Sequence, residues 1–148
     1  MVLVMKIMAS KDRKNYVSWA QSSIRYCDLD PNGHVNNGAI NTFFEDGRVL
    51  FRDEYMVQLG DDILTGFALV KFLAEYHLPL YFPGIVDIGT VVTKVGNSSY
   101  NLGQGIFRED ECIATADVVT VSFDPKSKTS KPIDSKLRDI LYTAMLNQ

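Results

Sequence analysis

The sequence predicts an α+β domain in which one long central helix is wrapped by a curved antiparallel sheet of about five strands, with a short C-terminal helix. Three observations predict it. Residues 36–58 carry apolar side chains at three- and four-residue steps, the period of a helix. Residues 63–78, 85–95, 98–108 and 111–123 read as strands. The short links between the last three, Gly96–Asn97 and Glu109–Asp110, suit an antiparallel meander. A helix and a sheet that each have an apolar side bury those sides on one another, which gives two layers.

Taken in order, Tyr16–Tyr26 mixes Tyr16, Val17, Trp19, Ile24 and Tyr26 with Ser and Gln and suits a first strand with one wet face. Asp28–Asn32 interrupts it: Pro31 biases Asp30 away from helical backbone, and Gly33 permits a left-handed residue. The long helix follows at about Asn36–Gln58, presenting Ile40, Phe43, Phe44, Gly47, Leu50, Phe51 and Tyr55 on one face. Asn36 or Asn37 caps its start and Gly60 ends it. A glycine at position 47, in mid-helix, implies close packing against a strand.

Ile63–Leu78 then alternates. Leu64, Gly66, Ala68, Val70, Phe72, Ala74, Tyr76 and Leu78 form a purely apolar face expected to meet the core. The mixed face, which includes Lys71, Glu75 and His77, is expected at the surface or under a neighbouring subunit. After the meander, Asp124–Pro132 reads as a polar loop. Ile133–Leu146 reads as an amphipathic helix started by Asp134 or Ser135.

A chain of 148 residues with a formal net charge of −3 fits one domain over residues 1–148 and offers no electrostatic case for nucleic acid. Lys126, Lys128 and Lys131 read as a solvated loop. Cys27 and Cys112 belong to no metal-binding or disulfide spacing, and both read as small buried hydrophobes in a reducing cytoplasm. The apolar start, residues 1–10, is too short to cross a bilayer and lacks a signal-peptide pattern, so it reads as a frayed end or a start upstream of Met8. A soluble, cytoplasmic protein without membrane association is expected. Neither His34 nor His77 has carboxylate or thiol partners at ligand spacing, so no metal and no cofactor is expected.

The chemistry concentrates in Tyr26–Arg48. A carboxylate, Asp30, and an imidazole, His34, stand just before a helix N-terminus, whose unpaired amides and positive dipole end suit a developing oxyanion. Asp28 competes with Asp30 from two residues earlier, but its distance from the helix start favours a structural role on turn amides or Arg25. Asn32, Asn36 and Asn37 exceed what capping one helix needs. Glu45 and Arg48 are spaced to pair on the helix, and Glu45 is a further candidate base.

The run R-Y-x-D-x-D-P-N-G-H-V-N-N (Arg25–Asn37), with F-F-E-D-G-R (Phe43–Arg48) after it, resembles the hot-dog-fold acyl-CoA thioesterases of the 4-hydroxybenzoyl-CoA thioesterase type, in an H-V-N-N branch. The D-x-N-x-H portion is also similar to plant acyl-ACP thioesterases. The late K-P-I-x-x-x-L-R segment (Lys131–Arg138) extends the resemblance. It implies hydrolysis of an acyl thioester of coenzyme A or acyl carrier protein, with coenzyme A as part of the substrate. It implies Asp30 as nucleophile or general base, with Asn32 and His34 in catalytic roles. A backbone donor at Asn37 or Gly38, beside Asn36, would form the oxyanion hole. It also implies a homodimer, or a dimer of dimers, with sites between subunits. Two other classes remain open: a binding module that holds an acyl thioester without cleaving it, and a hot-dog dehydratase or hydratase, whose Pro-rich His motif is missing here.

Overall fold

The computed structural model describes residues 9–60 and 65–146. Strand β1 (Ser18–Ser23) leads through a turn region into α1 (Asn37–Met56), followed by β2 (Phe67–Tyr76), β3 (Ile85–Val95), β4 (Ser99–Arg108), β5 (Glu111–Asp124), the two-residue β6 (Thr129–Ser130) and α2 (Ser135–Thr143). The five long strands pair antiparallel in the order β1-β3-β4-β5-β2, and β6 pairs with β5. The long helix lies in the curl of this sheet, which is the hot-dog fold. The start of the expected strand at Ile63, and the apolar residues 1–8, lie outside the described residues.

The helix begins and ends where local chemistry says it should. Asn36 stays extended, and its side chain accepts from the Gly38 amide. A 3-10 turn at Val57–Leu59 then runs into Gly60, whose φ of +84° suits glycine. Ile40, Phe43, Phe44, Gly47, Phe51 and Met56 are buried. Leu50, expected on that face, is exposed instead, because the contact face narrows around Gly47. A β-carbon on Gly47 would lie 2.5 Å from Ile88 Cγ2 and 2.9 Å from Gln104 Nε2. The buried Gln104 amide donates to the Phe44 carbonyl of α1 and to Thr90 Oγ1 of β3.

Two strand expectations are corrected. The first strand is shorter than Tyr16–Tyr26, because Tyr26–Asp28 curl into a 3-10 turn held by Arg25 and Asp28. The uniform apolar face of the strand after α1 does not exist. Leu69 pairs with Thr120 and Lys71 with Val119, which leaves Val70 as an extra, bulged residue. Phe67 and Leu69 therefore share the inner side with Phe72, Ala74 and Tyr76, while Ala68 pairs with the outward-facing Val121. The segment read as a plain polar loop contains β6.

A second bulge, at Ile113 in β5, breaks the pairing with β4. The Ile113 carbonyl accepts from the His77 and Leu78 amides, which steers the 77–84 loop across the end of the sheet. On the outer face Tyr16 packs edge to face on Trp19 and on Phe107, and the Arg13 guanidinium sits 4.5 Å from the Trp19 ring. α2 buries Leu137, Ile140 and Leu141 as expected, with Asp134 as its cap. The Ala144 carbonyl accepts from Val92 where β3 bulges at Thr93, which ties this helix to the sheet.

Alanine is the better helix former by about 1 kcal/mol. Gly47→Ala is nevertheless expected to lose about 1–3 kcal/mol, because the added methyl meets Ile88 and Gln104 inside a filled layer. A lower urea midpoint at an unchanged m-value checks this.

Candidate active site

Between β1 and α1 the chain makes two nested turns. In the first, Asp28, only 3% exposed, accepts from the Arg25 amide at 2.8 Å and from Arg25 Nη2 at 2.8 Å. This pairing holds the Arg25 guanidinium above its ordinary pKa. Asp28 thus serves the turn, and its carbonyl in turn receives the Asn36 amide. In the second turn Leu29 and Val35 form an antiparallel bridge. The Asp30 amide donates to the His34 carbonyl, and the Gly33 amide to the Asp30 carbonyl. Gly33 closes the loop at φ +84°.

This loop brings Asp30 and His34 together. One carboxylate oxygen of Asp30 accepts from the Asn32 amide at 2.8 Å. The other lies 3.7 Å from His34 Nδ1, too far for a hydrogen bond but within reach of an ion pair when the ring is protonated. The Asp30 side chain is 16% exposed and that of His34 37%, so both retain access to solvent. Asn32 is exposed, and its described bond to Asp30 is made by its backbone.

At the helix start the three expected positions divide. The Asn36 side chain takes the Gly38 amide at 2.7 Å, and the Asn36 carbonyl takes the Ala39 and Ile40 amides. The Asn37 amide has no hydrogen-bond partner among the described residues, and Asn36, Asn37 and Gly38 are all exposed. An acceptor approaching this end therefore finds one uncommitted donor, at Asn37, with the helix dipole behind it.

Sequence reasoning missed the second wall. The Val35 amide donates to the Leu80 carbonyl at 2.7 Å, which lays the 77–84 loop along the turn. Tyr81 then stands edge-on to His34 with ring centroids 6.4 Å apart. Arg108 fixes the loop by donating to the Tyr81 and Pro83 carbonyls. Gly84 takes φ +154° there, which favours glycine, and a β-carbon would push aside the Arg108 guanidinium, whose Nη2 would lie 2.5 Å away. The only hint in the sequence was a Pro- and Gly-containing link rich in aromatics. Tyr26, 77% exposed, packs edge to face on Phe82, so exposed aromatics flank this end of the molecule.

Other candidates fall elsewhere. Glu45 makes no ion pair among the described residues; Arg48 turns inward to Gln104 Oε1 rather than pairing with it. Cys112 is buried and burial pushes its thiol up, as a small hydrophobe requires, whereas Cys27 is exposed, since its turn faces solvent. His77 shares a 2.9 Å hydrogen bond with Thr115 Oγ1, and burial pulls its pKa down. Among the described residues no group of three or more His, Cys, Asp or Glu side chains is placed to hold a metal ion, and no helix is long and apolar enough to cross a membrane.

The comparisons with known proteins agree with this architecture. The model of the thioesterase-like superfamily matches residues 24–141. The chain belongs to that superfamily. Among solved structures, a predicted thioesterase from Bacillus stearothermophilus superposes with a TM-score of 0.80 at 21% identity, covering 88% of this chain and 98% of its own. A thioesterase from Thermus thermophilus, complexed with coenzyme A and zinc, gives 0.79 at 21% identity, covering 88% and 96%. The PA5185 protein from Pseudomonas aeruginosa gives 0.79 at 29% identity, covering 90% and 95%. No match is found among curated protein sequences.

Asn36→Ala should cost about 1 kcal/mol of stability through loss of the cap, and Asn36→Ser should restore most of it. Urea unfolding of the two variants beside the parent measures the difference.

Proposed function

We propose that the protein hydrolyses acyl thioesters of coenzyme A or acyl carrier protein, in the manner of the 4-hydroxybenzoyl-CoA thioesterase type. The observation that carries this reading is the pairing of Asp30 and His34 in one tight loop immediately before a helix whose first amide, at Asn37, is unpaired. Membership of the thioesterase-like superfamily supports it, as does the likeness to a thioesterase that holds coenzyme A.

In this reading the thioester carbonyl oxygen accepts from the Asn37 amide, and negative charge gathering on it is stabilised by the helix end. Asp30 either takes a proton from the attacking water or attacks the carbonyl itself, giving a mixed anhydride that water then opens. In the first route the water oxygen bonds to the acyl carbon and the carbon–sulfur bond breaks. The sulfur leaves as a thiolate, which needs little acid assistance, and His34 or solvent returns the proton. Asn32 and Asn36 position water and substrate, with coenzyme A entering as substrate and no cofactor required.

One observation favours a second reading, an acyl-thioester binding module. An oxygen of Asp30 is already engaged by the Asn32 amide, as in a turn-forming aspartate. Asp30→Asn separates the two. Thiol release from a panel of acyl-CoAs should fall by about 10²–10⁴, whereas rates within about threefold of the parent would remove the catalytic assignment. Saturable binding without thiol release in the parent would establish the module.

In the single chain Asn36, Asn37 and Gly38 are exposed, and β2 is a sheet edge on which Leu69 and Val70 are 48% and 59% exposed. An edge of this kind is a template for strand pairing. We infer that two copies join along β2 into one continuous sheet about a two-fold axis. Val70→Glu should raise the dimer dissociation constant at least about tenfold, since a charge on the edge strand opposes edge-to-edge pairing. Light scattering over a dilution series checks this.

A further inference from the structure

Arg48 and Arg52 lie one turn apart on α1, and both are partly buried against the sheet. With Phe67 and Leu69 of β2, Tyr100 of β4 and Thr120 of β5, they line a cavity of about 30 Å³. Arg48 Nη1 donates to Gln104 Oε1 at 3.1 Å, and the guanidinium lies 5.3 Å from the Phe72 ring centroid. Those contacts leave most of its donors unused. Arg52 makes no hydrogen bond or ion pair with any described residue. Glu45, a turn earlier, attracts Arg48 but forms no ion pair with it.

The cavity thus concentrates two positive charges with no carboxylate among its lining residues. Burial pulls the Arg48 pKa down, and the neighbouring charge of Arg52 adds to that effect. Half-buried like charges are unfavourable unless a counter-charge sits between them. Guanidinium groups favour anions, carboxylates among them, that two or more of their N–H groups reach at once.

We propose that Arg48 and Arg52 bind one small anion, a carboxylate group or a halide ion, in the cavity between α1 and the sheet. The volume exceeds what a water molecule needs, so a small anion can enter between the two guanidinium groups. Two sources share this chemistry: a free ion from solution, and a carboxylate at the far end of the substrate acyl group. Arg48 lies about 16 Å along the helix from Asn37, so the second source requires a long acyl chain and rests on the thioesterase reading. The first does not.

The test uses the full chain at constant ionic strength, with bromide replacing the bulky sulfonate anion of HEPES. At bromide about tenfold above its dissociation constant the melting temperature should rise by about 3–5 °C, and it should go on rising with the logarithm of bromide concentration. Arg52→Gln should abolish most of the rise, Arg52→Lys should keep part of it, and crystals grown in bromide should show anomalous density between the two guanidinium groups. A parallel response in parent and Arg52→Gln, or crystals without that density, would overturn the proposal whatever a thioesterase assay gives. A second arm compares long acyl-CoAs of equal length ending in a methyl or a carboxylate. If Arg52→Gln loses about tenfold in kcat/KM for the carboxylate-ended substrate alone, the acyl group is the source. If bromide binds and the two substrates respond alike, the solution ion is the source, and the site stands in either case.

Discussion

The hydrogen bonds of one buried amide, Gln104, hold this architecture in register. Its Nε2 bridges the Phe44 carbonyl of the helix to Thr90 of the sheet, and its Oε1 receives Arg48. A fully buried amide left unpaired costs more than a pair adds, so each partner is obliged to stay where the other needs it. The helix must approach closely enough for its backbone carbonyl to be reached, which is why position 47 bears no side chain. Helix depth and direction follow from that contact, and so does the place where its first amide emerges.

The candidate site is then assembled from two connections. One precedes the helix, where the Arg25–Asp28 pair and the Leu29–Val35 bridge hold a five-residue loop. The other follows β2, where Ile113 redirects the chain and Arg108 grips it. The Val35–Leu80 hydrogen bond joins them. Rigid elements thus supply position, while loop side chains form the candidate site, the usual division between scaffold and site.

What could be read from the chain alone was what local chemistry decides. Asn36 announces the helix start, Gly60 its end, and Gly96 and Glu109 the hairpins, because each acts on backbone a few residues away. The Asp30–His34 loop was legible for the same reason. The bulge at Val70 was not, since alternation in Ala68–Tyr76 looks unbroken until Phe67 has a core to enter. Nor was the inward turn of Arg48, whose acceptor lies 56 residues further on. Tyr81 beside His34 was hidden because a long-range backbone contact puts it there.

The extra residue in β2 also sets a rule of parity. Before it, odd-numbered residues face the helix; after it, even-numbered ones do. Removing that residue would bring Leu69 and Lys71 onto consecutive partners, Thr120 and Val119, and merge the two phases into one alternation with Phe67, Leu69 and Phe72 all still facing inward. A one-residue loss at position 70 therefore keeps the inward side chains inward, whereas a one-residue loss elsewhere between Phe67 and Phe72 would leave the bulge in place and flip what precedes it. Position 70 is thus the point at which aligned relatives can differ by one residue while keeping the same wall.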